Sequence, residues 1–290
     1  MSDDRQSPTA HHESLTLGLL SDMVRSSYQR IAQARERAPD AALRAAALAA
    51  PEPPRLEFDR EGFDVIAELK LRSPSVGDLS ARTIDPVRRL EAYAEGGAAV
   101  CSILTEPTRF DGDLEHLRLA ADVLQPYGVP AMRKDFIVDP YQVLEARAYG
   151  ASGVLLIVRM VPRERLIALM DCAADLGLFV LLEAFSASDL ETAGEIASQR
   201  ASRDEQVLMG LNCRDLDTLE IDFGRFAELR DRMPPDWPGV AESGVQAPED
   251  AARVASLGYR FALVGTSLMR RADATQAVRE IVAAGRAARS

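Results

Sequence analysis

Residues 130–158 read PAMRKDFIVDPYQVLEARAYGASGVLLIV and hold one complete strand–helix–strand unit. Short apolar runs of β type at 130–134 and 153–158 flank a segment, Pro140 to Ala148, that has helical periodicity. The proline stands where a helix starts and its missing N–H costs nothing, and Gly150 stands where the helix should stop. We therefore expect two parallel strands joined by a helix.

The same pattern repeats along the chain and predicts the fold class. The runs of β type lie at 64–70, 98–104, 130–134, 153–158, 179–183, 207–211, 239–242 and 261–264. Eight such units predict a (β/α)8 TIM barrel, an α/β fold of typically about 250 residues. A doubly wound open sheet is the competing fold, and the missing Gly-rich turn after the first run argues against it.

The chain divides into three parts on this reasoning. Residues 1–14 are polar, lack the apolar core of a signal peptide and are expected to form a disordered tail. Residues 15–62 are expected to form an N-terminal helical extension and linker, because apolar side chains over 15–36 share one helical face. Residues 63–290 are expected to form the barrel.

Composition excludes several classes of function. The net charge is −11 and the pI is about 4.9, which argues against a nucleic-acid surface. No apolar stretch reaches the roughly 20 residues that a membrane span needs. The three cysteines show neither a paired framework nor metal-type spacing, which indicates a reducing compartment. We expect a cytoplasmic protein that binds no metal, no nucleic acid and no membrane.

Polar residues close most of the predicted strands at the same end. The residues at these positions are Lys70, Glu106, Lys134, Glu183, Asn212 and Glu242. Each alone would more often be solvated or would cap a helix, but their coincidence predicts one site at the carboxyl mouth of the barrel. Glu68 lies two residues before Lys70 and so faces the same way. The fourth run ends in apolar residues and should supply a wall.

Three charged residues follow one another at the end of the third predicted strand. Arg133 and Asp135 flank Lys134 and should face away from the mouth, so we expect them to be structural. Burial should lower the pKa of a mouth lysine toward the working range of an acid–base catalyst.

The last two units carry a second signal. The seventh run leads into Glu242-Ser243-Gly244 and the eighth into Gly265-Thr266-Ser267. Glycine-containing loops after the last two strands of a barrel, with a helix N-terminus, are its usual phosphate site. Phe110 and Phe136, in the loops after the second and third runs, could cover a flat aromatic substrate.

Several blocks together resemble one enzyme family. In order they are IAELKLRSPS, SILTEPTRF, RKDFIVDPYQ, LLIVR, LLEA, LNCRDLDTLEID, AESGV and LVGTSLMR. This set is similar to that of the indole-3-glycerol phosphate synthases of tryptophan biosynthesis. The resemblance implies a carboxy-lyase that converts 1-(2-carboxyphenylamino)-1-deoxyribulose 5-phosphate to indole-3-glycerol phosphate, with loss of carbon dioxide and water. It implies no metal and no organic cofactor.

The resemblance also implies a role for each site residue. Lys134 would be the general acid of ring closure, Glu183 and Lys70 would serve the later deprotonation and dehydration, and Glu68 would support Lys70. The substrate would be positioned by Ser73, Asn212, Arg214 and Glu242, and from their positions we also expect Phe110, Phe136 and Leu156 to contact it. Its phosphate would be held by Ser243, Gly244, Gly265 and Thr266.

Other functions stay open on the residues alone. A paralogue acting on a substituted anthranilate derivative would look similar, and Phe185 stands where many relatives carry a polar residue. A Schiff-base lyase of aldolase type could use Lys134 or Lys70 as its nucleophile. A non-catalytic phosphosugar-binding barrel would lack a catalytic Lys or Glu, and none is missing. We expect a monomer or a weak homo-oligomer with a small phosphorylated substrate as its partner.

Overall fold

A computed structural model of the protein describes residues 9–58, 61–70, 72–73, 77–78, 85–200, 205–215 and 218–289. Within these residues, eight parallel strands close into a barrel whose order follows the chain. They are β1 (Asp64–Leu69), β2 (Val100–Leu104), β3 (Ala131–Lys134), β4 (Gly153–Ile157), β5 (Phe179–Ala184), β6 (Val207–Asn212), β7 (Gly239–Glu242) and β8 (Phe261–Val264). Ile66 of β1 is in register with Val100 of β2 and with Leu263 of β8. The TIM barrel is thereby confirmed and the open sheet is excluded.

Helices surround the barrel and precede it. They are α1 (Thr9–Arg37), α2 (Asp40–Ala49), α3 (Pro86–Glu95), α4 (Pro107–Phe110), α5 (Leu114–Leu124), α6 (Pro140–Ala148), α7 (Arg163–Asp175), α8 (Ala187–Gln199), α9 (Arg225–Glu228), α10 (Pro248–Ser256), α11 (Thr266–Arg270) and α12 (Ala274–Ala287). Aspartates cap α3, α5 and α6 by accepting from free N–H groups of the first turn. In the part of the chain described, no helix has the length and apolar content needed to cross a bilayer.

Side chains inside the barrel form layers because alternate residues of a strand face inward. The middle of the barrel is apolar, with pairs such as Leu181 of β5 beside Leu208 of β6. Gly153 of β4 faces the ring of Phe179, which occupies the space that a side chain at 153 would fill. The catalytic-type charged residues lie toward the carboxyl end of the strands, whereas Asp64 at the start of β1 pairs with Arg286 at 2.6 Å, so the apolar middle supports the mouth above it.

The N-terminal extension folds over one side of the mouth. Ser27 Oγ of α1 donates to the carbonyl of Phe136 at 2.7 Å, and the Arg30 guanidinium donates to both oxygens of Asp135 at 2.9 and 3.0 Å. Further along, Arg35 pairs with Asp139 at 2.8 Å. Helix α1 is therefore fixed to the loop that follows β3.

The start of α1 differs from the sequence prediction. The helix begins at Thr9, so residues 9–14, which were expected to belong to a disordered tail, have helical backbone. Between Pro8 and Gly18 the sequence contains no helix breaker, which accounts for the earlier start. Residues 1–8 lie outside the described part of the chain.

Candidate active site

A cavity of about 880 Å³ opens at the carboxyl ends of the strands. Its floor is made by the charged strand ends and its sides by the loops that follow them. Leu20 and Met23 of α1 also line it, so the N-terminal extension contributes directly to the wall. Sequence reasoning assigned α1 an apolar face but gave no indication that part of this face would border the cavity.

The central cation of the cavity is Lys134, at the end of β3. Its Nζ lies 3.7 Å from Glu183 Oε1 and 3.5 Å from Glu242 Oε2. Burial alone would lower its pKa, but Glu183, Glu242 and Glu68 together raise that pKa above the ordinary value. The expected downward shift is therefore wrong, because strands far apart in sequence bring three carboxylates to one ammonium group.

Glu242, at the end of β7, is the least satisfied acid of the cavity. Its Oε1 is buried and has no hydrogen-bond partner among the described residues. Burial, helped by the charge of Glu183 and opposed by Lys134, raises the pKa of Glu242 to about 8. The carboxylate fits because Gly210 faces it from β6, where any side chain would collide with Oε1.

A second ion pair stands on β1. Lys70 Nζ and Glu68 Oε1 are 2.7 Å apart, and both side chains line the cavity. Burial alone would raise the pKa of Glu68, but Lys70, Lys134 and Arg214 together hold it below the ordinary value. Gly265 lies against this pair, and a side chain there would collide with Glu68 and press against Lys70.

Asn212 of β6 orients the acid of β5. Its Nδ2 donates to Glu183 Oε1 at 2.6 Å, while its Oδ1 accepts from the backbone N–H of Arg214 at 2.9 Å. The guanidinium of Arg214 donates to the carbonyl of Leu219 at 2.8 Å, and burial lowers its pKa against the opposing charge of Glu68. These groups connect β5, β6 and the following loop in one hydrogen-bonded chain.

The loops after β7 and β8 border the same cavity. Ser243 and Gly244 both have positive φ, 65° and 94°, so two successive residues adopt the left-handed conformation. Gly265 precedes α11, and Thr266 is the first residue of that helix. Ser267 was not predicted as a site residue, yet it lines the cavity and its hydroxyl is buried without a partner among the described residues. Its place directly after Gly265-Thr266 was the available signal.

The aromatic wall agrees only in part with the prediction. Phe110 and Phe136 line the cavity with ring centroids 6.5 Å apart and planes inclined at 37°. Leu156 does not line it and is fully buried, so its assignment to the substrate wall is wrong; Leu155 and Ile157 are the lining residues. The alternation of side chains along β4 explains the error.

The position of one predicted site residue, Ser73, is given only for its backbone. The side chain of Ser73 lies outside the described part of the chain, although its backbone pairs with Gly77 in a short antiparallel ladder after β1.

Two other charged groups are structural. Glu106 caps α4: its carboxylate accepts from the backbone N–H groups of Thr108 and Arg109 at 2.9 and 2.7 Å. On the outer face of β3, Arg133 and Asp135 pair at 2.8 Å, in agreement with their expected structural role. The Asp135 carboxylate also accepts from Thr105 Oγ1 at 2.8 Å. Its partners hold its pKa well below the usual range although burial acts in the opposite direction.

Lysine is confined to this cavity. Lys70 and Lys134 are the only lysines of the chain, and the remaining 32 of its 34 basic residues are arginines. Arginine stays charged in proteins, whereas a lysine ammonium is compact and can exchange a proton. The cavity thus combines two lysines, several carboxylates and two glycine-containing loops.

Comparison with known proteins gives a consistent result. The family model for indole-3-glycerol phosphate synthase matches residues 20–281. An indole-3-glycerol phosphate synthase of Kineococcus radiotolerans is 43% identical over 229 residues, 79% of this chain and 79% of that protein. One of Nocardioides sp. is 41% identical over 268 residues, 91% of this chain and 98% of that protein.

A solved structure shares the fold at low identity. It is phosphoribosyl anthranilate isomerase in complex with reduced 1-(o-carboxyphenylamino)-1-deoxyribulose 5-phosphate. The two chains are 14% identical with a TM-score of 0.51, over 78% of this chain and 99% of the other. At that identity the likeness concerns the barrel alone.

Proposed function

The chain belongs to the indole-3-glycerol phosphate synthase family, and from this premise we propose a role for each group in its cavity. The family activity is a ring closure of tryptophan biosynthesis, catalysed by a carboxy-lyase on a phosphorylated small molecule. The substrate, 1-(2-carboxyphenylamino)-1-deoxyribulose 5-phosphate, gives indole-3-glycerol phosphate, carbon dioxide and water.

The substrate spans the cavity from the β7–β8 loops to the aromatic wall. Its phosphate binds the backbone N–H groups around Ser243, Gly244, Gly265 and Thr266, where positive φ and a helix start support an anion. Its aryl ring lies against Phe110, Phe136 and Leu155. Binding of the phosphate and the aryl ring brings the ring carbon that carries the carboxylate close to the ketone. This orientation increases the rate of ring closure.

Lys134 acts as general acid of ring closure. The ring carbon attacks the ketone carbon while the ammonium group donates a proton to the ketone oxygen, and loss of carbon dioxide then restores the conjugated ring. The raised pKa of Lys134 supports this role because the lysine enters the reaction as an ammonium ion. It argues against a Schiff-base lyase, whose nucleophile must be a neutral amine.

Glu183, Lys70 and Glu68 serve the dehydration. The hydroxyl formed from the ketone leaves as water after it receives a proton, and a neighbouring carbon gives up a proton to a base. Glu183, oriented by Asn212, is the proposed base, and Lys70 is the proposed acid with Glu68 as its counter-ion. Arg214, Glu242 and Ser73 position the substrate around them.

The confinement of both lysines to the cavity carries this proposal, and replacement of Lys134 tests it. We expect Lys134→Ala to lower kcat by about 10²- to 10⁴-fold, measured by indole fluorescence from the ribulose phosphate substrate. Lys134→Arg keeps the charge beside Glu183 and Glu242 but cannot give up its proton, so it should be nearly as inactive. Circular dichroism checks that both variants fold. Normal turnover in either variant would refute the acid role.

We also propose that the protein acts in the cytoplasm as a monomer or a weak homo-oligomer. The barrel, residues 63–290, and the extension, residues 15–62, would form the working unit. All three cysteines are buried free thiols, which supports a reducing compartment. Among the described side chains, the large apolar ones that are exposed are few and scattered: Tyr28, Leu48, Tyr127 and Ile221.

A further inference from the structure

The end of β5 carries an aromatic residue that the mechanism does not use. Phe185 follows the catalytic-site strand two residues after Glu183 and lines the cavity, yet its side chain is almost completely buried. Leu155 and Ile157 of the neighbouring β4 line the cavity as well. Together these three side chains extend the apolar wall from Phe136 toward β5.

The ring of Phe185 is held in place from behind. The guanidinium carbon of Arg159 lies 5.4 Å from the ring centroid, a distance at which a cation is attracted to the face of an aromatic ring. Asp189 fixes this arginine by accepting from its Nε at 2.8 Å. The same carboxylate oxygen accepts from the backbone N–H of Phe185 at 2.8 Å, so one group orients both the cation and the backbone.

The backbone is also held on its other side. The guanidinium of Arg225 donates a hydrogen bond to the carbonyl of Phe185. With both its N–H and its C=O engaged and its ring covered by Arg159, the residue has little freedom to move aside. A side chain restrained in this way forms a rigid boundary, because displacing it would break several polar contacts at once.

We propose that Phe185 is a specificity-determining residue that limits which substituents the substrate's aryl ring can carry. The proposal rests on the proposed function, in which that ring lies along the wall formed by Phe110, Phe136 and Leu155. Phe185 bounds the same wall on the β5 side. A methyl or halogen group that points from the aryl ring toward β5 therefore meets a fixed phenyl ring.

A series of methylated substrates tests this inference. Each substrate carries one methyl group at a different free position of the anthranilate ring, and each kcat/KM is divided by that of the unsubstituted substrate in the same variant. In Phe185→Ala the quotient should rise by about 10-fold or more at one position or at two adjacent positions, because a single methyl group in a tight site typically changes kcat/KM by this much. Phe185→Leu should show the same positions with a smaller rise.

Two further variants make the test specific. Arg159→Met loosens the ring without removing it and should raise the quotient at the same positions by a few-fold. Tyr127→Ala removes an exposed aromatic ring outside the cavity lining and should leave every quotient unchanged. Quotients that stay within about 2-fold at all positions in both Phe185 variants would overturn the inference. Failure of the unmodified protein to form indole-3-glycerol phosphate from the unsubstituted substrate would instead refute the proposed function.

Discussion

The two faces of β3 hold charged residues in opposite states. On the outer face every nitrogen of the Arg133 guanidinium has a partner, and both oxygens of Asp135 accept at least two hydrogen bonds of 2.8–3.0 Å. On the inner face Lys134 stands 3.5 and 3.7 Å from its carboxylates, and Glu242 Oε1 has no partner in the described residues. Adjacent residues of one strand thus serve two purposes.

This difference separates structural charge from reactive charge. Buried ions that satisfy one another are locked, and removing one of them leaves the other uncompensated. Buried ions that remain under-coordinated keep hydrogen-bonding capacity for a substrate, which costs stability in the free protein. The comparison predicts that variants of the outer face lose folding stability, whereas variants of the inner face lose turnover.

The largest effect on stability should come from Asp135→Asn. Loss of the carboxylate leaves the buried Arg133 and the largely buried Arg30 without their shared counter-ion, so the free energy of unfolding should fall by about 3–5 kcal/mol. Urea denaturation followed by circular dichroism measures it. Lys134→Ala is the matched inner-face variant and should lose far less stability. Equal losses in the two variants would contradict the division between the faces.

The second largest difference between the inner and outer faces should lie in how stability depends on pH. Because the pKa of Glu242 is raised to about 8, the folded protein keeps a proton near neutral pH that the unfolded chain has released. That contribution is complete below about pH 4.5 and is lost as the pH rises through 8. The unmodified protein should therefore lose stability from pH 5 to 8, and Glu242→Gln should not. Over this range the unfolding free energy of the variant should rise by about 1–2 kcal/mol relative to that of the unmodified protein.

For Asp135 the contribution to stability should depend on pH in the opposite direction. The pKa of Asp135 is held well below its ordinary value, so its contribution is complete above about pH 4 and is lost only in acid. Its cost should be constant from pH 5 to 8, and denaturant unfolding at several pH values compares the two variants. Parallel curves for Glu242→Gln and the unmodified protein would show that Glu242 does not carry the extra proton.

A smaller effect than that of Asp135→Asn should come from the helix that covers the mouth. Arg30→Met removes the contact of α1 with Asp135 but leaves Arg133 in place, so the unfolding free energy should fall by about 1–2 kcal/mol. Arg25→Met on the same helix removes an exposed pair with Asp22 and should have no measurable effect. If both variants behave alike, the Arg30 contact contributes no more than a surface ion pair.

The positions of the strands could be predicted because the barrel repeats one local pattern. Apolar runs, helix-starting prolines and stop glycines such as Gly150 are local signals, and all eight runs became strands close to their expected limits. The position of α1 over the cavity could not be predicted from such local signals. Its position depends on Arg30 and Ser27 meeting the loop after β3, more than 100 residues away.

The placement of the strand-end groups around one cavity was predictable, but their electrostatics were not. The predicted strand-end groups, including Lys134 and Glu183, do meet at one mouth, because parallel strands share an end. The pKa of Lys134 was expected to move the wrong way, since three acids from other strands decide it. Leu156 was expected to line the cavity, but its two neighbours on β4 do so instead. The restraint of Phe185 by Arg159 could not be predicted, because it depends on a contact between two different loops.

The confinement of lysine to the cavity has a consequence for chemical labelling. The ε-amines of Lys70 and Lys134 are the only side-chain amines of the chain. Amine-directed cross-linkers, dyes and surface couplings therefore have no lysine to react with outside the cavity. Immobilisation through lysine would inactivate the protein, while an amine reagent shaped like the substrate would report occupancy of the cavity without a competing lysine elsewhere.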